Sequence, residues 1–502
     1  MAAVAGVALA FSFAPFNLWP LALLAPAVLL WLWSDATPRR AAWLGFCFSF
    51  GTFAAGTWWL YVSIRIFGQA PLWLALLLML GLVCIMALYH AALGWLAARW
   101  LPTRGALGWV LAVPAAWVFV EWWRGWFLSG FGWLTLGYSQ TDTPLAGYAP
   151  LGGVYLLSWL LLVMAGALLV LWRGPARQRP LAVAVLVLPW LGGAALSRID
   201  WTRSAGAPIE VAVLQGAVPQ DIKWLESNRD TTLDLYGGLA REALGTPLIV
   251  MPEAALPDLA NNLLPWLRRL ASDAGRSGSS LVLGILRAEP GADGELEYFN
   301  SMLALGEDVA WYDKHHLVPF SEFFPVPAFV RRWLRLMSLP YSDFTRGAAR
   351  QAALPAGGLL LSASICYEDA YPTTQLAATR ASTALVNVTN DAWFGRSSAR
   401  YQHLQISRLR AIEARRWMIR AANDGVSAVI SPAGEIVARA PEYERALLRA
   451  RVEPRSGSTP FLWVGHVPVV LLCLAAVAAA AMLRRRRGRA SAGTELSRES
   501  RV

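Results

Sequence analysis

The sequence predicts a bundle of membrane-spanning α-helices joined to an external α/β domain. Hydrophobic residues make up 56% of the 502 residues and charged residues only 15%, whereas soluble domains carry about 25% charged residues. Apolar stretches of roughly 20 residues, enough to span a bilayer, dominate residues 1–198. Acidic residues and short apolar runs become common only after them. This composition excludes a soluble globular protein, a disordered chain and a collagen.

Eight apolar segments are predicted to span the membrane, seven of them within residues 1–198. This region contains only three acidic residues, Asp35, Glu121 and Asp142, which separates it from the acid-rich chain that follows. If the short first segment is merely buried, the chain has seven spans instead. The predicted spans are 2–13, 17–33, 41–62, 71–98, 105–127, 151–172, 181–197 and 461–483.

The distribution of arginine predicts the orientation of these spans. Three Arg-containing loops and the Arg-rich tail 484–502 fall on one side if all eight spans are present. Because cytoplasmic loops are enriched in Lys and Arg, this side and the C-terminus are predicted to be cytoplasmic. Residues 199–458 then form an external domain, followed by a last membrane helix within 459–483. No regular structure is expected in the tail.

The external domain shows the alternation of strands and helices that is typical of α/β folds. Short runs of apolar residues predict the strands, and polar-faced segments predict the helices between them. The predicted strands are 209–214, 247–251, 280–286, 300–305, 309–313, 359–365 and 385–388. The predicted helices are 227–243, 259–275 and 402–420, and a hairpin is expected around 432–434.

Three reactive side chains, Glu253, Lys314 and Cys366, each come just after a predicted buried strand. Sites in α/β sheets are built at the carboxyl ends of strands. A cysteine attacks a carbonyl as the thiolate, so it needs a base and a positive neighbour. Glu253 can take the thiol proton, and Lys314 can stabilise the thiolate and a tetrahedral oxyanion. On spacing alone, a buried apolar cysteine, a capping glutamate and a salt-bridging lysine remain equally open.

The scarcity of lysine in the chain supports a functional role for Lys314. Of 44 basic residues only Lys223 and Lys314 are lysines. An amine, unlike a guanidinium, can lose its proton or act as a compact point charge. Each lysine is therefore a candidate for chemistry that arginine cannot perform, although the role of Lys223 is left open between lipid phosphate binding and a structural one.

Several sequence motifs resemble known families. Four of them resemble the nitrilase superfamily, whose αββα sandwich carries a Glu-Lys-Cys triad: PEAALP at 252–257, YDKHHLVPFSEFFP at 312–325, ICYED at 365–369 and NDAWFG at 390–395. The whole chain more closely resembles the apolipoprotein N-acyltransferase family of the bacterial inner membrane. That resemblance adds FAPFNLWP at 13–20, YVSIRIFG at 61–68, EWWRGWFLSGFGWLTLGYSQ at 121–140 and LQGAVPQDIKW at 214–224.

The resemblance implies a role for each matching residue. It implies that Glu253 is the catalytic base, Lys314 the stabilising cation and Cys366 the nucleophile. The supporting residues that it implies are Glu322, Tyr367 and Glu368, and the substrate or lid residues are Trp224, Trp393 and Asn390. Two positions depart from the family pattern, because Met251 replaces an expected Trp and His315 an expected Asn. Neither departure removes a reacting group.

The resemblance also implies an activity. An acyl chain passes from a phospholipid such as phosphatidylethanolamine, through a cysteine thioester, to the α-amine of a diacylated apolipoprotein. The implied enzyme is a monomer in the lipid bilayer, with its catalytic domain on the periplasmic side, and it binds no nucleic acid and needs no cofactor. We expect a lid within 321–345 or 389–400, and 328–337 has the amphipathic pattern of a helix lying on anionic lipid.

Other site types and functions were weighed against this one. His315, His316 and His403 lack cysteine or aspartate partners at ligand spacing, so no metal site is expected. A membrane-tethered nitrilase-type amidase would use the same three residues but leaves the lipid-facing segments unexplained. A transporter or binding scaffold with an external receptor domain would explain the spans but not the motifs.

Overall fold

A computed structural model describes residues 1–291, 294–306, 308–323 and 344–499 of the chain. The chain divides into two compact units. The first consists of Met1–Arg65, Gln69–Ile199 and His466–Val502, and the second of Ile66–Gly68 and Asp200–Gly465. The predicted interfacial helix at 328–337 and most of the candidate lid at 321–345 lie outside the described residues.

The first unit is helical. In the described part of the chain, four helices are long and apolar enough to cross a membrane: Leu72–Trp100, Pro144–Arg173, Ala176–Leu196 and Val467–Arg486. Its other helices are Ala2–Ala10, Leu21–Trp33, Pro38–Gly56 and Val113–Arg124, with π-helical turns at Val62–Phe67 and Leu107–Ala112. The first two of these have 9 and 13 residues, short of the roughly 20 that a span requires. The four long helices support a membrane protein, and the full count of eight spans stays a prediction.

The last helix corrects the prediction for the tail. It runs from Val467 to Glu499, so the expectation of no regular structure after residue 483 is wrong. Arginine and alanine, which dominate the first part of the tail, are both strong helix formers. The helix therefore continues where the apolar pattern of the span stops.

Two buried charged residues hold an irregular segment of the first unit. The helix Val113–Arg124 is followed by chain with only short 3-10 turns. Arg124 donates hydrogen bonds to the carbonyl oxygens of Phe131 at 2.6 Å and Trp133 at 2.7 Å, and Glu121 accepts one from the Leu136 amide at 3.0 Å. Backbone groups that no helix satisfies must find partners inside a membrane protein, and these two side chains provide them.

The second unit is built on strands, which are β1 (Thr202–Ser204), β2 (Ile209–Gln215), β3 (Leu248–Val250), β4 (Ser280–Pro290), β5 (Leu296–Leu305), β6 (Val309–Asp313), β7 (Leu354–Ala356), β8 (Leu359–Ile365), β9 (Ala384–Thr389), β10 (Met418–Ala422), β11 (Ala428–Ile430), β12 (Ile436–Arg439), β13 (Ala446–Val452) and β14 (Arg455–Gly457). One six-stranded sheet has the order β13-β2-β3-β4-β5-β6 and the other β12-β11-β10-β9-β8-β7. Strands β2, β3 and β4 run parallel to one another, as do β8, β9 and β10.

The two sheets pack face to face between two layers of helices. Val250 and Val282 of the first sheet share one core with Ile365 and Val386 of the second. A second core joins the outer face of the first sheet to the helices Glu226–Ala243 and Leu264–Arg276. A third joins the other sheet to the helices Ala399–Ala414 and Pro460–Val464. This αββα order explains why most strands are apolar on both faces.

The predicted strands are confirmed with small changes of boundary, but two helices were predicted too long. The helix expected at 259–275 begins at Leu264. The helix expected at 402–420 ends at Ala414, and Met418–Ala422 is strand β10, parallel to β9. Arg415 adopts a left-handed conformation with φ 50° and ψ 46°, which ends a helix. Strand β13, antiparallel to β2, was not predicted.

Candidate active site

Cys366 lies at the point where strand β8 ends. The strand stops at Ile365, and Cys366 begins a 3-10 turn that extends to Ala370. Its φ is +52°, in the left-handed region that non-glycine residues seldom adopt. The residue is half-buried. A strained residue at the end of a buried strand is a common feature of functional sites.

Glu253 follows strand β3 and is held by three donors. Its Oε1 accepts hydrogen bonds from Asn300 Nδ2 at 2.8 Å and Lys314 Nζ at 3.3 Å, and its Oε2 accepts one from the Asn390 amide at 3.0 Å. The chain at Glu253 passes directly over Gly284 of β4, where a Cβ would lie 2.5 Å from the Glu253 Cα. Glycine is therefore required at 284 to let the carboxylate reach this position.

Lys314 follows strand β6, and its side chain is almost completely buried. Its ammonium donates to Glu322 Oε1 at 2.8 Å as well as to Glu253. Burial alone would lower the pKa of Lys314, but the charges of Glu253 and Glu322 raise it well above its ordinary value. Lys314 is therefore a charged ammonium with one N–H left for a third partner.

Glu322 completes the group. Its Oε1 accepts from Asn300 Nδ2 at 2.8 Å, and its Oε2 accepts from the Val318 amide at 2.8 Å. Asn300 and Lys314 thus each donate to both carboxylates, Glu253 and Glu322. The arrangement holds two carboxylates around one ammonium, and Lys314 interacts electrostatically with Cys366 as well.

The thiol of Cys366 is protonated in this environment. Burial and the negative charge of Glu253 raise the pKa of the Cys366 thiol well above its ordinary value, and the positive charge of Lys314 only partly opposes them. A thiol of this kind becomes a nucleophile when a base removes its proton as it attacks. Glu253 is the carboxylate whose charge acts on it most strongly.

Glu368 is fully occupied by structural hydrogen bonds. Its Oε2 accepts from the Tyr312 hydroxyl at 2.9 Å and the Ile365 amide at 2.8 Å. Its Oε1 accepts from the amides of His315 at 2.8 Å and His316 at 3.1 Å. Glu368 therefore joins the turn of the nucleophile to the loop that carries Lys314.

The other residues singled out in the sequence differ in burial and in their contacts. Tyr367 is half-buried and packs edge-to-face on Tyr371 at 5.2 Å. Asn390 is buried, and its Nδ2 donates to Gln220 Oε1 at 2.7 Å. Trp224 and Trp393 are 47% and 37% exposed. The ring of Trp393 contacts Phe67 at 6.4 Å within the second unit.

Lys223 is also brought to the site, although no role was predicted for it. It is fully buried, and its Nζ donates to the backbone carbonyl oxygen of Glu253 at 3.4 Å. Burial lowers the pKa of Lys223 to about 8, against a partial opposing effect of Glu253 and Asp424. Both lysines of the chain therefore contact the same glutamate, one at its carboxylate and one at its backbone.

Sequence reasoning missed several buried polar residues of the site. Asn300 lies inside strand β5, and Arg420 lies inside strand β10. His403 was considered only as a metal ligand, and its ring nitrogens instead face Asp391 and the carbonyl oxygen of Cys366. The usable signal was polarity within otherwise apolar strands, since such residues are buried only when they are paired. In the described part of the chain, no three His, Cys, Asp or Glu side chains are grouped to hold a metal ion.

Two protein-family models match the chain. Residues 5–168 match the family model described as apolipoprotein N-acyltransferase N-terminal domain, and residues 210–460 match that of carbon-nitrogen hydrolase. A carbon-nitrogen hydrolase structure from Helicobacter pylori G27 is 17% identical and covers 49% of this chain and 90% of its own, with a TM-score of 0.38.

Relatives of known name match over nearly the full length. The apolipoprotein N-acyltransferase of Pseudomonas syringae pv. tomato is 41% identical, covering 94% of each chain. That of Azotobacter vinelandii is 43% identical over 92% of this chain and 90% of its own, and that of Methylococcus capsulatus 40% over 95% and 94%. The chain therefore belongs to the apolipoprotein N-acyltransferase family, and it is an acyltransferase whose second unit is a carbon-nitrogen hydrolase domain.

Proposed function

We propose that this chain transfers an acyl chain from a phospholipid to the α-amine of a diacylglyceryl-cysteine at the N-terminus of an apolipoprotein, and that Cys366, Glu253 and Lys314 carry out the chemistry. The observation that carries the proposal is the Lys314 ammonium, which contacts Glu253 at 3.3 Å and interacts with Cys366. In this proposal, the base and the oxyanion-stabilising cation both act at one thiol.

The first half-reaction makes a thioester. The Cys366 sulfur attacks the carbonyl carbon of the sn-1 ester, for example of phosphatidylethanolamine, while Glu253 takes the thiol proton. The free N–H of Lys314 stabilises the negative oxygen of the tetrahedral intermediate. The ester C–O bond then breaks, and Glu253 returns the proton to the departing oxygen of the lysophospholipid.

The second half-reaction makes the amide. The neutral α-amine of the acceptor attacks the thioester carbonyl, and Glu253 takes its proton. The C–S bond breaks, and the proton passes to the Cys366 sulfur, which restores the resting thiol. Two substrates thus use one site in turn through a covalent intermediate, which gives ping-pong kinetics.

The remaining site residues have supporting roles in this proposal. Glu322 holds Lys314 through a second hydrogen bond, and Glu368 fixes the turn of Cys366. Tyr367 and Asn390 line the approach to the thiol. The exposed rings of Trp224 and Trp393 meet the acyl chain. The segment 389–400 moves as a lid to keep water from the thioester.

The proposed location follows from the apolar helices and the arginine-containing loops. The catalytic domain faces the periplasm of a bacterial cell, and the helix Val467–Glu499 ends in the cytoplasm. Both substrates are anchored in the bilayer, which gives a reason for a catalytic domain on a membrane scaffold. The protein acts as a monomer.

The test is a mass spectrum of the purified protein after incubation with one defined phospholipid. A hydroxylamine-labile gain of one acyl chain on the Cys366 peptide, absent in Cys366→Ala and retained in Cys84→Ala, is the expected result. No adduct in a preparation that hydrolyses small amides would favour the amidase instead. Unchanged lipoprotein maturation in cells carrying Cys366→Ala would favour a transporter or binding scaffold.

A further inference from the structure

A second cluster of buried polar side chains contacts the backbone of the nucleophile. Its members, Asp391, His403 and Arg420, are at most 1% exposed. They come from three elements: the 3-10 turn after β9, the helix Ala399–Ala414 and strand β10. The acyl-transfer steps use none of the three, so their burial needs another explanation.

His403 holds the strained turn at Cys366. Its Nε2 lies 3.0 Å from the carbonyl oxygen of Cys366, and Asn387 Nδ2 lies 3.4 Å from the same oxygen. The left-handed φ of +52° at this residue costs conformational energy. It persists only where surrounding contacts fix it, and two donors on one carbonyl oxygen are contacts of that kind.

The partners of the imidazole determine its protonation state. Its Nε2 faces a carbonyl oxygen, and its Nδ1 lies 2.9 Å from Asp391 Oδ1. Burial would raise the pKa of Asp391, but the charges of Arg420 and His403 hold it well below its ordinary range, so this carboxylate also accepts. A neutral imidazole has one N–H. Two acceptors on its two nitrogens require the imidazolium.

The position of Arg420 fits the same assignment. Its Nη2 donates to Asp391 Oδ2 at 2.8 Å and lies 3.0 Å from His403 Nδ1. If Nδ1 instead accepted from Arg420, its lone pair would face the Asp391 oxygen at 2.9 Å. An N–H at Nδ1 removes that repulsion and adds a second donor to Asp391 Oδ1, which also accepts from Thr389 Oγ1 at 3.0 Å.

Several charged side chains lie in this cluster and beside it. Arg420 lies 2.8 Å from Asp391 and 3.8 Å from Asp369. Arg400, which also acts to lower the pKa of Asp391, lies 4.0 Å from Asp424 and 3.7 Å from Glu442. Towards the thiol, the charges that face Cys366 are Glu253, Lys314 and Asp391, and Asp391 acts to raise the pKa of the thiol.

We propose that His403 is a positioning residue, held as an imidazolium between Asp391 and the carbonyl oxygen of Cys366, where it fixes the left-handed turn of the nucleophile and offsets the negative charge of Asp391 at the thiol. The inference rests on Cys366 as the nucleophile of the proposed function. It assigns His403 a role beyond the three reacting residues.

The experiment measures alkylation of Cys366 by iodoacetamide between pH 6 and 10, resolved by peptide mass spectrometry. Alkylation reports the thiolate, and it needs no lipid substrate. His403→Gln keeps a neutral donor near the Nε2 position, whereas His403→Leu removes both donor and charge. In His403→Gln, alkylation at each pH of this range is expected to be about tenfold slower, which corresponds to a profile moved up by about one pH unit. Acyl-enzyme formation in His403→Leu is expected to fall about 100-fold because the turn is released.

Matched controls separate this role from general packing. Leu404→Met changes a buried neighbour on the same helix and is expected to leave the alkylation profile unchanged. Asp391→Asn removes the negative charge that the imidazolium offsets, so its profile should not move up as that of His403→Gln does. If His403→Leu does not fold, His403→Gln and Asp391→Asn carry the test.

Two results would overturn the inference: a wild-type alkylation profile in His403→Gln, or acylation within threefold of wild type in a folded His403→Leu. Failure of the proposed function is distinguishable from both. It would show as a wild-type protein that forms no acyl adduct on Cys366 while its alkylation profile still responds to His403→Gln.

Discussion

Lys314 and Lys223, the two lysines of the chain, lie in two regions of one site that offer them different partners. Both are buried, and both contact Glu253. Lys314 meets the carboxylates of Glu253 and Glu322, which raise its pKa well above the ordinary value. Lys223 meets a backbone carbonyl oxygen, and burial lowers its pKa to about 8.

The difference shows that the partner, not burial, determines the state of a buried amine. Removal from water favours the neutral form of any lysine, and a carboxylate in contact reverses that preference. Lys314 can therefore stabilise developing negative charge throughout the reaction. Lys223 is charged below pH 8 at a cost in folding free energy. The predictions below test this contrast.

The largest effect is expected for Lys314→Met. Two buried carboxylates would lose their ammonium, which should lower the free energy of unfolding by about 3–5 kcal/mol. Loss of the oxyanion-stabilising charge should slow thioester formation about 1000-fold. Single-turnover acylation and the tryptophan-fluorescence melting midpoint measure the two effects. Lys314→Arg is the control that keeps a cation, and it should recover stability more than the rate of acylation. An acylation rate of Lys314→Met within tenfold of wild type would contradict the assignment.

A smaller effect is expected when either carboxylate around Lys314 is replaced, and its size should differ between Glu253 and Glu322. Both share Asn300 and Lys314, and they differ in the group that donates to Oε2. If Glu253 is the base, Glu253→Gln should slow acylation about 100-fold, and Glu322→Gln only about tenfold. Single-turnover acylation measures both rates. Equal losses in the two variants would assign the base elsewhere.

Lys223→Met is expected to stabilise the protein at neutral pH. A pKa of about 8 in place of 10.5 corresponds to a cost of about 3 kcal/mol for keeping this group charged in the folded state. Because the folded state binds fewer protons than the unfolded state between about pH 8 and 10.5, wild-type stability rises with pH in this window. Lys223→Met should therefore melt several degrees higher than wild type at pH 7, and the gap should narrow by pH 10.

Lys314→Met serves as the control for that measurement. The pKa of Lys314 is raised, so its contribution to stability is complete below the ordinary value near 10.5 and is lost only at higher pH. The loss of stability in Lys314→Met, relative to wild type, should stay constant from pH 7 to 10, whereas the gain in stability of Lys223→Met should shrink. A Lys223→Met variant that melts below wild type at pH 7 would show that the structure compensates the charge of Lys223.

The three proposed reacting residues could be located in the sequence because each follows an apolar strand. The apolar strands before Glu253, Lys314 and Cys366 end within three residues of them. Functional sites in α/β sheets lie at the carboxyl ends of the strands. The same strands give the αββα core, since apolar runs bounded by turns can be recognised from local sequence.

The polar framework around them was not predictable, because its partners are remote in the sequence. Asn300 joins Glu253 and Glu322, which lie 47 and 22 positions away along the chain. Arg420 was placed at the end of the helix predicted at 402–420. Its burial in strand β10 depends on Asp391, 29 positions away, and nothing local indicates that pairing.

The smallest predicted effect concerns the ring beside Lys223. Lys223 Nζ lies 5.9 Å from the centre of the Trp224 ring, which is half exposed. A cation over such a ring gains about 0.5–1 kcal/mol, so Trp224→Leu should lower the melting midpoint by about 2–4 °C at pH 7. The loss should vanish near pH 10, where Lys223 is neutral, and in the Lys223→Met background at any pH. A loss that persists in that background would assign Trp224 to packing alone and leave the charge of Lys223 supported only by Glu253 and Asp424.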